Sequence, residues 1–124
     1  MDTKTNHLIY IIDDDADMVE LLADDLEQKG YQVAAHTRVH SFFERFKTRI
    51  PDAIIVDMVI HEMPGWQIIK KIKNTHDLGN VKVIAISGIL EEQDVRRMGL
   101  KADSYLEKPV SADTVDRILK ELLL

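Results

Sequence analysis

Four places in this 124-residue chain carry side chains that could do chemistry together: Asp13-Asp14-Asp15, Asp57, Ser87 and Lys108. Each stands at or just beyond the end of an apolar run, namely Leu8–Ile12, Ala53–Val56, Val83–Ile86 and Tyr105-Leu106. Brought to one spot, the carboxylates of Asp13, Asp14 and Asp57 would outnumber the single ammonium of Lys108. Like charges packed that closely cannot all stay ionised unless a cation compensates. Mg²⁺ suits such a set, because it takes one or two carboxylates, keeps several waters and accepts a phosphate oxygen; Mn²⁺ could replace it. With that charge balanced, Asp57 becomes a nucleophile toward a phosphoryl group. Phosphoryl transfer needs in-line positioning and donors for the equatorial oxygens, and Lys108 and the Ser87 hydroxyl are donors of that kind. The expected chemistry is an aspartyl phosphate on Asp57.

That convergence requires a fold that carries all four places to one rim. Leu8–Ile12, Ala53–Val56 and Val83–Ile86, with a weaker run at Tyr31–Ala35, are rich in Ile and Val and continuous rather than alternating, as in strands buried on both faces of a parallel sheet, and Tyr105-Leu106 is a brief fifth. Between them lie helical stripes at i, i+3, i+4, i+7: Val19, Leu22, Ala23 and Leu26; Val39, Phe42, Phe43 and Phe46; Val115, Ile118, Leu119 and Leu122. Ile68, Ile69 and Ile72 form a shorter stripe, and Val95 with Met98 the weakest. Asp15 is placed to cap the first helix, Gly30 to end it, Pro64 to open the third and Ser111 to cap the last. Strand–helix alternation without hairpin signals predicts an α/β fold: a doubly wound, flavodoxin-like, five-stranded parallel sheet of order 2-1-3-4-5 with helices on both faces. In such sheets ligands bind at the carboxyl ends of the strands, which is where the four places fall.

Composition narrows the class. Apolar residues make up 45% and charged ones 31%, ordinary for a globular domain, and the length fits one domain, residues 1–124, with no output domain attached. The 16 basic and 22 acidic residues leave a net charge of −6, which argues against direct nucleic-acid binding by bulk electrostatics. The absence of cysteine removes disulfides, thiolate catalysis and cysteine-based metal sites. The polar N-terminus is unlike a signal peptide and no apolar run approaches membrane-spanning length, so the expectation is a cytoplasmic protein without membrane insertion. His36 and His40 have the spacing of a zinc pair but straddle a strand end and a helix start. Leu123 and Leu124 extend an apolar terminus that could serve a homodimer or another partner.

Over nearly its whole length, from Leu8 to the last helix, the chain resembles the receiver domains of two-component response regulators. The resemblance rests on Ile12-Asp13-Asp14-Asp15, Asp57 after Ala53-Ile54-Ile55-Val56, Ser87 after Ile84-Ala85-Ile86, and Lys108-Pro109. It implies that Asp57 is the phosphoacceptor, Asp14 a direct Mg²⁺ ligand, Asp13 a ligand acting largely through water, and the backbone carbonyl of Val59 the last protein ligand. Ser87 and Tyr105 match the hydroxyl and aromatic switch positions, and Gly65 matches the family's glycine eight residues past the acceptor. The implied partners are a histidine kinase or phosphotransfer protein and a downstream protein of unknown identity. Such a domain assists its own phosphorylation and dephosphorylation without being a turnover enzyme.

Two departures from the pattern concern loops. His61 stands where the family often has proline, which predicts a looser loop and brings an imidazole near the phosphoryl site; Lys101 stands where glycine usually precedes Ala-Asp. Two other functions compete. A haloacid-dehalogenase-like phosphohydrolase is suggested by Asp15-Ala16-Asp17-Met18-Val19, but its first aspartate should follow the strand directly. A degenerate receiver that serves only as a protein-interaction module would not need the intact site residues.

Overall fold

The computed structural model describes residues 6–88, 93, 96, 99 and 102–123. Its strands are β1 (Leu8–Ile12), β2 (Gln32–His36), β3 (Ala53–Asp57), β4 (Lys82–Ser87) and β5 (Ser104–Glu107). They form one parallel sheet of order β2-β1-β3-β4-β5, as the alternation predicts. The described helices are α1 (Ala16–Gln28), α2 (Val39–Arg45), α3 (Gly65–Asn74) and α4 (Ala112–Leu123). The stripe of Val95 and Met98, and Lys101, lie outside the described residues.

The strand pleat sorts the core into two layers. Tyr10, Ile12, Ile54, Val56, Val83 and Ala85 face α2 and α3, whose Phe42, Ile68, Ile69 and Ile72 are buried against them. Ile9, Ile11, Ala53, Ile55, Ile84 and Ile86 face α1 and α4, meeting Val19, Leu22, Leu26, Val115 and Leu119. This two-sided burial explains why β1, β3 and β4 read as continuous apolar runs. Strand β2 departs from the expectation: it starts one residue later, and only His36 at its end is buried. It is the sheet's edge, paired with β1 alone, so it has less to bury.

Local signals act as expected at both ends of the sheet. Asp15 accepts the Met18 N–H at 3.2 Å, and Gly30 supplies the positive φ (102°) after α1. Ser111 Oγ accepts the Thr114 N–H at 3.2 Å at the start of α4. Pro64 sits just before the first turn of α3 rather than inside it, with extended ψ (142°). Among the described residues shortly before β5, Gly99 has a positive φ (73°). Leu122 and Leu123 are partly buried against the α1–α4 layer, so the core accounts for both, whereas Leu124 lies outside the described residues. Among the described residues no helix is long and apolar enough to cross a membrane.

Candidate phosphoryl and metal site

Register brings the carboxylates together. Ile12 pairs with Val56 across β1 and β3, so the next step along both strands sets Asp13 beside Asp57. Asp57 pairs with Ile86, and Ser87 with Glu107, which carries Ser87 and Lys108 to the same rim. The Lys108 N–H donates to the Ser87 carbonyl at 2.9 Å. Four strand ends thus converge, as the sequence requires.

The Lys108 ammonium spans the two buried acids. Its Nζ lies 2.8 Å from Asp57 Oδ2, in a hydrogen bond, and 3.0 Å from Asp13 Oδ2. The second approach is an ion pair without good hydrogen-bond geometry, leaving Asp13 Oδ2 a fully buried oxygen with no hydrogen-bond donor. The remaining oxygens are held by backbone: Asp15 N–H donates to Asp13 Oδ1 at 3.0 Å and Val59 N–H to Asp57 Oδ1 at 3.0 Å. Asp14 is exposed and its Oδ2 accepts the His61 N–H at 3.2 Å.

Electrostatics follow from this geometry. Burial pushes the Asp13 carboxyl up to about 6; the Asp15 N–H and Lys108 pull it back, and the neighbouring Asp57 adds to the rise. For Lys108 burial works against the charge, but Asp57 and Asp13 outweigh it and hold the ammonium above its usual range. One oxygen from each of Asp13, Asp14 and Asp57 lies within 4.8 Å of the others. All-oxygen donors, more carboxylates than ammonium groups, and a buried Asp13 oxygen that has an ion pair but no hydrogen bond fit a hard divalent cation. Ser87 is buried at the end of β4. Tyr105, opposite Ala85, is half-buried against the α2–α3 layer. Val59, two residues past Asp57, has an exposed side chain.

Gly65 has a steric reason to be glycine. A Cβ there would overlap the Asp57 carbonyl and lie 2.6 Å from Met58 Cα, while the Gly65 N–H donates to Met58 O at 3.1 Å. The start of α3 is thereby pressed onto the backbone that aims Asp57. Gly65→Ala should lower the unfolding free energy by about 2 kcal/mol. A urea midpoint equal to that of wild type would contradict this close approach.

The loop after β3 differs from the expectation of looseness. His61 is tied to Asp14 through its N–H, a bond proline could not make. Next to it, Glu62 Oε1 accepts from Val39 N–H at 3.3 Å and from Arg38 Nε at 3.1 Å. Sequence reading missed Glu62, although one signal was available: Arg38 precedes α2 and makes no side-chain cap of its own. The histidine pair also resolves. His36 is buried edge-on to Tyr10 and Phe42, ring centroids 5.8 Å away in each case, whereas His40 is exposed. Burial lowers the His36 pKa, and its carbonyl accepts the Asp13 N–H at 3.1 Å.

Comparison with known proteins agrees with this geometry. The family model for the response regulator receiver domain matches residues 9–120. The chain is 28% identical over 119 residues to the alkaline phosphatase synthesis transcriptional regulatory protein PhoP of Bacillus subtilis, covering 95% of this chain and 49% of that protein. It is 30% identical over 104 residues to the phosphate regulon transcriptional regulatory protein PhoB of Escherichia coli, covering 83% and 45%. Thus the chain spans about half the length of the curated relatives it matches. Among solved structures it resembles the signal receiver domain of a DNA-binding response regulator from Colwellia psychrerythraea, with TM-score 0.85, 26% identity, and 95% and 98% of the two chains covered.

Proposed function

The chain belongs to the response regulator receiver domain family, and on that premise we propose that it accepts a phosphoryl group on Asp57 from a histidine kinase or phosphotransfer protein. The observation that carries this reading is the buried Asp57 carboxylate, held at 2.8 Å by Lys108 and grouped with Asp13 and Asp14 at the sheet's carboxyl rim. Residues 1–124 read as one receiver domain.

In the transfer, a carboxylate oxygen of Asp57 forms the new bond to phosphorus while the bond to the donor breaks and its electron pair leaves with the donor. Lys108, already at both buried acids, supplies positive charge to a phosphoryl oxygen. The Ser87 hydroxyl, on the neighbouring strand end, supplies a further donor and would report the modification to the α2–α3 side, where Tyr105 packs. Asp13, Asp14, Asp57 and the Val59 carbonyl are the groups that would hold Mg²⁺. When bound, that cation offsets the charge of the acids and of the incoming phosphoryl group. The output is altered affinity for a downstream partner, since only a state-dependent contact shifts such an equilibrium.

Intact mass after incubation with acetyl phosphate and Mg²⁺ tests the reading. One added phosphoryl group is expected on wild type and none on Asp57→Asn, and excess chelator should abolish the gain. Labelling of Asp57→Asn to the same extent would remove Asp57 from this role.

A further inference from the structure

Two consecutive residues in the loop between β3 and α3 face different neighbours. The His61 N–H donates to Asp14 Oδ2 at 3.2 Å, and the Glu62 carboxylate receives Val39 N–H and Arg38 Nε at 3.3 and 3.1 Å. Through Glu62 the loop is fastened to the start of α2, and through His61 it fastens the acidic turn after β1. Asp14 needs that restraint more than the other acids. Asp13 and Asp57 are buried and held by Lys108, whereas Asp14 is exposed, and among the described residues the His61 amide is what fixes its side chain.

We propose that Glu62 is a positioning residue for the cation site: by anchoring the loop on α2 it keeps the His61 amide on Asp14 Oδ2 and leaves the other Asp14 oxygen to a divalent cation. The physical gain is preorganisation. An exposed aspartate otherwise samples several rotamers, and ordering it on ligation opposes binding. The amide bond does that ordering in advance, and a charge-assisted bond is strong enough to matter. Glu62 acts at a distance, since its own carboxylate is occupied by α2 and Arg38. The inference rests on the reading of Asp13, Asp14 and Asp57 as a divalent-cation site.

The test is a Mg²⁺ titration of the unphosphorylated protein by calorimetry, with the His61 amide followed in ¹H–¹⁵N spectra. Glu62→Ala should bind Mg²⁺ about fivefold more weakly, and the His61 amide resonance should move before any metal is added. Glu62→Gln, whose amide oxygen can still accept the Val39 N–H, should recover most of the affinity. His61→Pro, which removes the donor itself, should also weaken binding about fivefold. Asp52→Ala controls for general destabilisation, because it removes the acceptor of the Leu8 N–H at the amino ends of β1 and β3, opposite the rim that carries the acids, and should leave Mg²⁺ affinity unchanged. Wild-type Mg²⁺ affinity in Glu62→Ala would overturn the proposal, whatever His61→Pro does. If wild type itself binds no Mg²⁺, the cation reading fails, and the metal-free shift of the His61 amide still reports whether Glu62 braces the loop.

Discussion

Asp13→Asn is expected to raise the stability of the metal-free domain at pH 7.5 by about 2 kcal/mol, although it removes one arm of an ion pair. Asp13 is fully buried, and Lys108 must serve Asp57 as well. Burial raises the folded-state pKa of Asp13 from 3.8 to about 6. Between those values the folded chain holds a proton that the unfolded chain has released, so stability falls as pH rises through that window. Below about pH 4 both states are protonated and the burden is absent; above about pH 6 it is complete, on the order of 3 kcal/mol. An asparagine oxygen can still accept the Asp15 N–H, and its amide places no charge beside Asp57, so most of that burden should disappear. Urea unfolding in excess chelator at pH 4.5, 6 and 7.5 checks this. The variant's advantage should grow with pH, and saturating Mg²⁺ should shrink it by stabilising wild type more than the variant, which has lost one of the acids. A variant less stable than wild type at pH 7.5 without metal would show that the Lys108 pair outweighs the desolvation of Asp13.

The same residues show why the site was legible from sequence. Asp13, Asp57, Ser87 and Lys108 are fixed by strand ends, and the strands announce themselves because β1, β3 and β4 are buried on both faces. Once strand order follows from alternation and handedness, the four residues can only meet at one rim. Gly65 was legible only through the family resemblance; the close backbone approach that leaves a single residue type there appears in the fold alone. What remained hidden depends on contacts between segments distant in sequence. Glu62 reads as an ordinary loop acid until Val39 and Arg38 are seen beside it, separated by 23 and 24 positions. His61 carries its role in the backbone N–H, which no side-chain pattern reports. The edge strand β2 gave a weak signal because a strand paired on one side buries little beyond His36.

Lys108→Ala is expected to leave the fold intact, lower its stability by about 2 kcal/mol at pH 7.5 without metal, and slow labelling by acetyl phosphate about a hundredfold. The stability loss arises because Asp57 and Asp13 stay buried when their shared counter-ion is gone. Breaking a fully buried pair costs about 3–5 kcal/mol. Here the lysine side chain keeps 29% of its exposure, so water screens part of the charge and the loss is smaller. The kinetic loss has a separate origin: removing a preorganised cation from developing phosphoryl charge costs about 10²–10³ in rate. Two measurements separate these effects. Combining Lys108→Ala with Asp13→Asn should restore most of the stability, because one of the two uncompensated acids is then neutral, so the two changes will not add. The same combination should not restore labelling, because no side chain replaces the ammonium next to Asp57. If instead the double variant regains the labelling rate, Lys108 serves only to balance buried charge, and the phosphoryl group finds its positive partner elsewhere.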